Sequence, residues 1–150
     1  MYKRALTDNI QVLASKYPIV TILGPRQSGK TTLVKAIFKN IPYVNLEDIE
    51  NRALATADPK SFISKYPDGA IFDEIQRAPQ LLSCIQVKVD DDERKGLFIL
   101  TGSHQLELHS SISQSLAGRT SLVKLLPLSL LELRENEIKS TVDEIILQGG

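Results

Sequence analysis

Apolar residues along the chain follow two alternating patterns. Continuous apolar runs, which are typical of buried strands in parallel sheets, predict five β-strands at 19–23, 43–46, 70–72, 97–100 and 120–126. Between them, apolar positions recur every three or four residues, as amphipathic helices require. Before the first strand, such positions form one helical face: Leu6, Ile10, Leu13 and Tyr17. Strands that alternate with helices predict an α/β fold with a parallel sheet wrapped by helices.

Proline positions indicate where several helices begin or end. Pro18 ends the first helix, whereas Pro59 and Pro79 each open a further one. The predicted helices after the first strand cover 32–38, 47–57, 60–66, a segment from 79 with Leu81, Ile85 and Val89 on one face, 110–116, and the chain from 127 onward. The dense charged run at 90–95 predicts a solvated loop.

A phosphate-binding pattern, G-x-x-x-x-G-K-T, occupies residues 24–31, between the first strand and the next helix. Its glycines let backbone N–H groups surround a phosphate at the positive end of the helix dipole. Lys30 would reach the β- and γ-phosphates, and the Thr31 hydroxyl would bind Mg²⁺. The predicted nucleotide contacts are Gly24, Pro25, Arg26, Gln27, Ser28, Gly29, Lys30, Thr31 and Thr32. The alternative is a strand–helix turn that binds nothing.

Two carboxylates, Asp73 and Glu74, follow the predicted strand 70–72. Ligands of open α/β sheets bind beyond the carboxyl ends of the strands, so both acids would face the nucleotide. Asp73 is predicted to hold Mg²⁺, directly or through water, and Glu74 to act as the base that polarises the attacking water. Their alternative role is to cap the next segment.

Three further residues are candidates for contact with the phosphates. Ser103, and as a second choice Thr101, follows the next buried strand and would contact the γ-phosphate or the attacking water. Arg119 precedes the last strand and would act as an arginine finger, either on its own nucleotide or in a neighbouring subunit. The alternative for Thr101 and Ser103 is a plain turn, and the alternative for Arg119 is an exposed loop arginine. His104, beside that turn, is interpreted as a surface residue.

Composition excludes some classes of protein. The chain has 150 residues, of which 42% are hydrophobic, which predicts one domain with a buried core. Its 18 basic residues balance 18 acidic ones, so it lacks the global basic field that a dedicated nucleic-acid-binding domain would have. The single cysteine, Cys84, is interpreted as a small core residue. No apolar stretch reaches the length of a membrane span, and a signal-peptide pattern is absent, which favours a cytoplasmic location.

Together the motifs resemble those of one family of AAA-type phosphate-loop ATPases of bacteria and archaea, whose longer members continue into a C-terminal domain of unknown function. The matching stretches are GPRQSGKTTL (24–33), YVNLED (43–48), IFDEIQRAPQLL (71–82), FILTGS (98–103), SLAGR (115–119) and LPLSLLEL (126–133). The resemblance implies the three-layer P-loop NTPase fold with strand order 5-1-4-3-2. It also implies ATP as the nucleotide and Glu74 as the catalytic acid, with Ser103 and Arg119 in the roles given above.

The same resemblance predicts the organisation of the chain and its partners. Residues 1–133 would form the ATPase domain, and the helical segment 134–150 would begin a further region that continues past Gly150. Expected partners are ATP, neighbouring copies that receive Arg119, and a protein or nucleic-acid client bound through that region. No membrane partner is expected.

The sequence favours Mg²⁺-dependent ATP hydrolysis that drives a conformational change in an attached module. A nucleotide-dependent switch or scaffold with little or no turnover is the alternative, although such a module would not need the carboxylate of Glu74. A small-molecule kinase would carry an arginine-rich lid, and a GTPase would carry an N-K-x-D tetrad; the sequence contains neither.

Overall fold

The computed structural model of the chain describes residues 2–25, 29–103 and 106–125. Its strands are β1 Ile19–Leu23, β2 Tyr43–Asn45, β3 Ala70–Asp73, β4 Phe98–Gly102 and β5 Thr120–Lys124. They form one parallel sheet in the order β2-β3-β4-β1-β5. Counted from the other side this order is 5-1-4-3-2, so the predicted fold class and strand order are confirmed.

Helices connect the strands and cover the sheet. They are α1 Tyr2–Lys16, α2 Lys30–Ile37, α3 Ile49–Ala57, α4 Pro59–Ser64, α5 Leu81–Asp91 and α6 Leu106–Leu116. Two carboxylates cap the N-termini of consecutive helices: Asp48 accepts the N–H of Asn51 at α3, and Asp58 accepts the N–H of Ser61 at α4. Pro59 is the first residue of α4, as predicted.

Most helix boundaries differ from the prediction by one or two residues, and α5 begins at Leu81, not at Pro79. Buried side chains explain two larger differences. α5 continues to Asp91, so the charged run is not entirely a loop. Val89 is buried on the core side of that helix, which keeps its last turn regular while the acidic residues face solvent. α6 begins at Leu106, before the predicted start, and its buried residues Leu108 and Ile112 lie on one face. The helix predicted from 127 onward lies outside the described residues.

The core consists of two apolar layers, one on each face of the sheet. Alternate residues of β1 enter opposite layers, with Ile19 on one side and Val20 on the other. In the layer under α4, α5 and α6, the stacked rings of Phe72 and Phe98 have centroids 5.6 Å apart. The layer under α1 and α2 contains Ile10. Burial on both faces explains why the strands are continuous apolar runs.

The parallel register gives the sheet two chemically different edges. Leu23, the last residue of β1, pairs with Gly102, the last residue of β4. We name this side, where Asp73 also ends β3, the carboxyl edge. At the other side, named the amino edge, Ile19 pairs with Thr120.

Candidate active site

The phosphate loop joins β1 to α2 at the carboxyl edge. The N–H of Gly24 donates to the carbonyl of Gly102 at 3.1 Å, which anchors the start of the loop on β4. At its end, Gly29 has a left-handed backbone (φ 81°), which glycine adopts without a steric penalty. Its carbonyl accepts the N–H of Leu33 at 3.0 Å. Residues 26–28, three of the predicted contacts, lie outside the described residues.

Lys30, the first residue of α2, is almost completely buried. Its side chain is 2% exposed, and its Nζ lies 3.2 Å from Oε2 of Glu74, whose side chain is 8% exposed. The Nζ also donates to the carbonyl of Pro25 at 3.5 Å. A buried ammonium requires such a counter-charge because its desolvation is costly. The positive charge of Lys30 is therefore balanced by the carboxylate of Glu74, the predicted general base.

Asp73 accepts hydrogen bonds from three hydroxyl groups. Thr31 Oγ1 donates to Oδ2 at 2.9 Å. The phenol of Tyr43 donates to the same oxygen, and Thr101 Oγ1 donates to Oδ1. The carboxylate is buried, so these donors replace the solvation that water would give it. The network fixes Asp73 beside Thr31, the other predicted Mg²⁺ ligand.

Tyr43 contributes a phenol that stays protonated. Burial is the main reason that its pKa is raised well above the ordinary value of 10.0. The hydrogen bond to Asp73, and then the negative charges of Asp73 and its neighbours, raise that pKa further. Lys35 Nζ lies 4.1 Å from the ring centroid, in cation–π contact. The phenol therefore acts as a fixed donor to Asp73.

The residues present fit a magnesium ion held together with phosphate. Thr31 and Asp73 place a hydroxyl and a carboxylate within 2.9 Å of each other, and hard oxygen ligands are those that Mg²⁺ prefers. In the part of the chain that the structure describes, no group of three or more His, Cys, Asp or Glu residues could hold a metal ion. The hydroxyl and the carboxylate therefore fit Mg²⁺ that is also bound by phosphate and water.

Glu74 adopts an unusual backbone conformation directly after β3. Its φ of 62° and ψ of 57° are left-handed, which costs a residue with a side chain about 1–2 kcal/mol. Its N–H donates to Thr101 Oγ1 at 3.0 Å, and its Oε1 accepts from Gln76 Nε2 at 2.7 Å. The turn thus separates the two acids: Asp73 faces Thr31, whereas Glu74 faces Lys30.

The structure assigns different surroundings to the two polar residues at the end of β4. Thr101 is fully buried beneath the acids, where its hydroxyl links Asp73 to the backbone of Glu74. Ser103 Oγ is buried and, among the described residues, has no hydrogen-bond partner. Of the two, Ser103 therefore has the free hydroxyl, and its contact with phosphate stays a prediction. His104 lies outside the described residues.

Arg119 lies at the amino edge, away from the phosphate loop. Its carbonyl accepts the N–H of Ile19, the first residue of β1, whereas the loop follows the last residue of that strand. The guanidinium binds both carboxylate oxygens of Asp90, with Nε at 2.7 Å and Nη2 at 3.0 Å. That bond lowers the pKa of Asp90. This position does not support a role on the chain's own nucleotide, and action on a neighbouring subunit stays a prediction.

Two site residues, Tyr43 and Gln76, were not identified as functional from the sequence. Tyr43 begins β2, and only the pairing of β2 with β3 brings its phenol to Asp73. Gln76 lies in the 3-10 turn Ile75–Arg77, which folds its side chain back to Glu74. Both lie within sequence stretches that match the resembled family, and that match is the signal by which they could have been found.

The fold, together with this arrangement of site residues, places the chain in the class of phosphate-loop NTPases. The family described as "AAA domain" matches residues 16–134, and the chain belongs to that family. The resemblance to AAA-type ATPases is thereby confirmed, whereas the continuation into a C-terminal domain stays a prediction. Within the described ranges, the structure contains no helix with the length and apolar character that a bilayer crossing requires.

Two curated relatives are uncharacterised proteins of Mycobacterium tuberculosis and Mycobacterium bovis. Each is 37% identical to this chain over 135 residues, a match that covers 89% of the chain and 30% of the relative. The chain thus spans about a third of the length of these relatives.

Solved structures share the fold at lower identity. A Walker-type ATPase of Pyrococcus abyssi is similar with a TM-score of 0.59 and 18% identity, over 95% of this chain and 61% of that chain. A DNA replication initiation factor matches with a TM-score of 0.54 and 17% identity, over 98% of this chain and 55% of its own. AMPPCP-bound DnaA from Aquifex aeolicus matches with a TM-score of 0.50 and 16% identity, over 95% and 54% respectively.

Proposed function

We propose that the chain binds ATP with Mg²⁺ at the phosphate loop and hydrolyses the bond to the γ-phosphate. The observation that carries this proposal is the meeting of α2 and β3 in one buried network. Lys30 contacts Glu74 there, and Thr31 contacts Asp73. The network brings a phosphate-binding cation, two oxygen ligands for Mg²⁺ and a candidate base to one edge of the sheet.

Nucleotide binding would change the partner of Lys30. In the structure its Nζ lies 3.2 Å from Glu74 Oε2. A triphosphate carries more negative charge than one carboxylate, so the phosphates would compete for the ammonium group. When Lys30 moves to the β- and γ-phosphates, Oε2 of Glu74 becomes free to accept a hydrogen bond from water.

The base and the metal ligands have separate tasks in this proposal. Glu74 would orient a water molecule for in-line attack and accept its proton, because its carboxyl group lies beside the phosphate loop and is held by Gln76. Thr31 and Asp73 would hold Mg²⁺, which when bound neutralises charge on the phosphate oxygens. Tyr43 and Thr101 would keep Asp73 oriented toward Thr31 through their hydrogen bonds. The free hydroxyl of Ser103 would contact the γ-phosphate or the water.

Hydrolysis would drive a conformational change in an attached or partner module, in the cytoplasm. The curated relatives extend well beyond the matched region, which provides sequence for such a module in them. A nucleotide-dependent switch with little turnover is the second candidate. The specific observation in its favour is that Arg119 lies at the amino edge, so an isolated chain would lack an arginine finger from that position.

Phosphate release from the purified chain with ATP and Mg²⁺ tests the proposal. Lys30→Ala should abolish ATP binding, because it removes the buried cation of the phosphate loop. Glu74→Gln should bind ATP as tightly as the wild type or more tightly, since the charge that competes for Lys30 is removed, but should lose hydrolysis by about 10²-fold or more. Titration of a fluorescent ATP analogue measures binding independently of turnover.

Matched surface variants control for the chemical changes. Lys39→Ala and Glu50→Gln make the same substitutions at exposed positions and should leave binding and phosphate release unchanged. Unchanged ATP affinity in Lys30→Ala would contradict the phosphate-loop assignment. Wild-type turnover in Glu74→Gln would remove the role of Glu74 as base, and ATP binding without turnover in the wild type would favour the switch.

A further inference from the structure

We propose that Gln76 is a positioning residue that holds the carboxylate of Glu74 against the end of β4, so that the base stays oriented when Lys30 leaves it for phosphate. This inference rests on the proposed ATP hydrolysis and extends it to a residue outside the phosphate loop and the two acids. Three features of the structure support it: a two-sided amide contact, a fixed turn and a glycine that leaves space. The fourth argument is the departure of Lys30 that the proposed function expects.

The side-chain amide of Gln76 connects two strand ends. Its Nε2 donates to Glu74 Oε1 at 2.7 Å, a short hydrogen bond to a charged acceptor. Its Oε1 accepts the backbone N–H of Ser103 at 3.4 Å. One planar group thus contacts the candidate base after β3 and the loop after β4. That orientation of the amide satisfies both its donor and its acceptor.

The backbone that carries Gln76 is fixed on both sides. Two hydrogen bonds close the turn: Arg77 N–H donates to the Glu74 carbonyl, and Ala78 N–H donates to the Ile75 carbonyl, both at 3.0 Å. Ile75 and Ala78 are completely buried, so they anchor the turn in the core. The left-handed conformation of Glu74 then directs the chain into this turn. Gln76 is therefore held on a rigid element, as precise positioning requires.

Gly102 provides the space that the amide occupies. A Cβ at this position would lie 3.1 Å from Gln76 Oε1 and 2.5 Å from Leu108 Cδ2. The second distance is shorter than side chains tolerate, so any larger residue would displace Leu108 or press on Gln76. The end of β4 is thus shaped to accept the glutamine side chain.

The hydrogen bond from Gln76 to Glu74 would matter most once nucleotide is bound. In the structure, Lys30 contacts Oε2 of Glu74 and Gln76 donates to Oε1. After Lys30 turns to the phosphates, Gln76 is the partner that remains from this pair. Without it the carboxylate would rotate about its terminal bond, and misplacement of a reacting group by about 1 Å costs about 10²-fold in rate. The expected defect is in turnover and not in nucleotide affinity.

Two substitutions separate the two hydrogen bonds. Gln76→Met keeps the side-chain length but removes both bonds. Gln76→Glu keeps an acceptor for the Ser103 N–H while replacing the donor to Glu74 by a repelling carboxylate. Both variants should lower kcat by about 10²-fold, with the Kd for a fluorescent ATP analogue within about twofold of the wild type. If Gln76→Met does not fold, Gln76→Asn provides the same test, because its amide is one methylene too short.

Gln80→Met is the matched control, since Gln80 is exposed at the N-terminus of α5 and should tolerate the change with unchanged kcat. A kcat for Gln76→Met and Gln76→Glu equal to that of the wild type would overturn the inference. A parallel rise in Kd and loss of thermal stability, with kcat retained at saturating ATP, would also overturn it, because that pattern belongs to a purely structural residue.

A second measurement does not depend on turnover. The side-chain amide signals of Gln76 in ¹⁵N NMR, assigned by their absence in Gln76→Met, should shift in Glu74→Gln and should stay those of a bonded amide when AMPPNP and Mg²⁺ are added. Signals of a free, solvated amide in the AMPPNP complex would contradict the inference. A wild-type chain that releases no phosphate would contradict the proposed hydrolysis instead, and the AMPPNP spectrum would still decide whether Gln76 keeps hold of Glu74.

Discussion

The two edges of the sheet both carry ion pairs, but in opposite environments. At the carboxyl edge, Lys30 and Glu74 form a pair whose side chains are 2% and 8% exposed. At the amino edge, the paired side chains of Arg119 and Asp90 are 31% and 45% exposed. Arg94 lies at the same edge and binds Asp68 with both groups in solvent. The same kind of interaction therefore has different physical consequences at the two edges.

Burial makes the charges of the carboxyl edge costly to leave unpaired. Each carboxylate there has several partners: Asp73 accepts three hydroxyl donors, and Glu74 is held by Lys30 and Gln76. A ligand that takes one partner away leaves a charge that must find another, which suits a site that responds to nucleotide. At the amino edge, water and salt replace any lost partner, so the pairs contribute little.

The largest predicted effect concerns Arg119. It would give the amino edge a role in catalysis, in contrast to the minor role that exposed ion pairs have there. If Arg119 acts on the nucleotide of a neighbouring subunit, Arg119→Ala should lower ATP turnover by about 10³-fold, the typical contribution of an arginine finger. Specific activity of the wild type should then rise with protein concentration, as measured by phosphate release over a dilution series.

Asp90→Asn separates this role from the ion pair itself. It removes the carboxylate that binds Arg119 but leaves the guanidinium available to a neighbour, so turnover at high protein concentration should be retained. A rate that does not depend on concentration, together with full activity in Arg119→Ala, would restrict Arg119 to its exposed ion pair.

Thr101→Val sharpens the comparison at the carboxyl edge. The substitution keeps the shape but removes the donor to Asp73 and leaves the buried N–H of Glu74 without its acceptor. Such an unsatisfied group costs about 1–3 kcal/mol, so urea unfolding should show a loss of that size, together with a fall in turnover of about tenfold or more.

The matched control is Thr120→Val, because Thr120 begins β5 at the amino edge and its hydroxyl bonds with that of Thr21 at 2.8 Å. It should lose about 1 kcal/mol and keep its turnover. Equal activity losses in the two variants would show that the threonine substitutions act through the sheet as a whole and not through Asp73 and Glu74.

The sequence predicted those parts of the fold and site that depend on contiguous residues. The loop at 24–31 and the acids Asp73 and Glu74 are adjacent in the chain to buried strands, so their place at the sheet edge follows from the strand pattern. The strand order required the family resemblance, since periodicity alone does not say which parallel strands are neighbours.

Other contacts of the site depend on strand register and backbone conformation, which a single sequence does not reveal. Tyr43 reaches Asp73 only through the register of β2 and β3, and Gln76 reaches Glu74 only through a left-handed residue followed by a 3-10 turn. Thr101 was the second choice after Ser103 for contact with phosphate, whereas the structure buries it against Asp73 and Glu74. Arg119 could have been assigned to the amino edge, because it precedes a parallel strand.

Tyr43→Phe should have a smaller effect, restricted to one donor of the Asp73 network. We expect a loss of at most about 1 kcal/mol at neutral pH, since the residue is only partly buried. The raised pKa of the phenol favours the folded state fully below pH 10.0, and this contribution is lost as pH rises through the folded pKa. The stability difference between wild type and variant in urea titrations should therefore shrink above pH 10.0.

Tyr66→Phe is the control for this loss of stability at alkaline pH. Burial alone raises the pKa of Tyr66, without the carboxylate partner that Tyr43 has. The two variants also differ at the site: Tyr43→Phe should require more Mg²⁺ for half-maximal turnover, whereas Tyr66→Phe should not. An unchanged Mg²⁺ requirement in Tyr43→Phe would mean that Thr31 and Thr101 suffice to orient Asp73.

The smallest effect is predicted for the stability contribution of the Arg119–Asp90 pair. Asp90→Asn should lower the midpoint of thermal unfolding by less than Thr101→Val does, because both partners are partly solvated. The difference from the wild type should disappear in about 1 M NaCl, where the screening length is about 3 Å. The decrease caused by Thr101→Val should persist at that salt concentration, because its lost partners are buried. A salt-insensitive loss in Asp90→Asn would show that Arg119 is held by more than charge, so that exposure alone would not distinguish the ion pairs of the two edges.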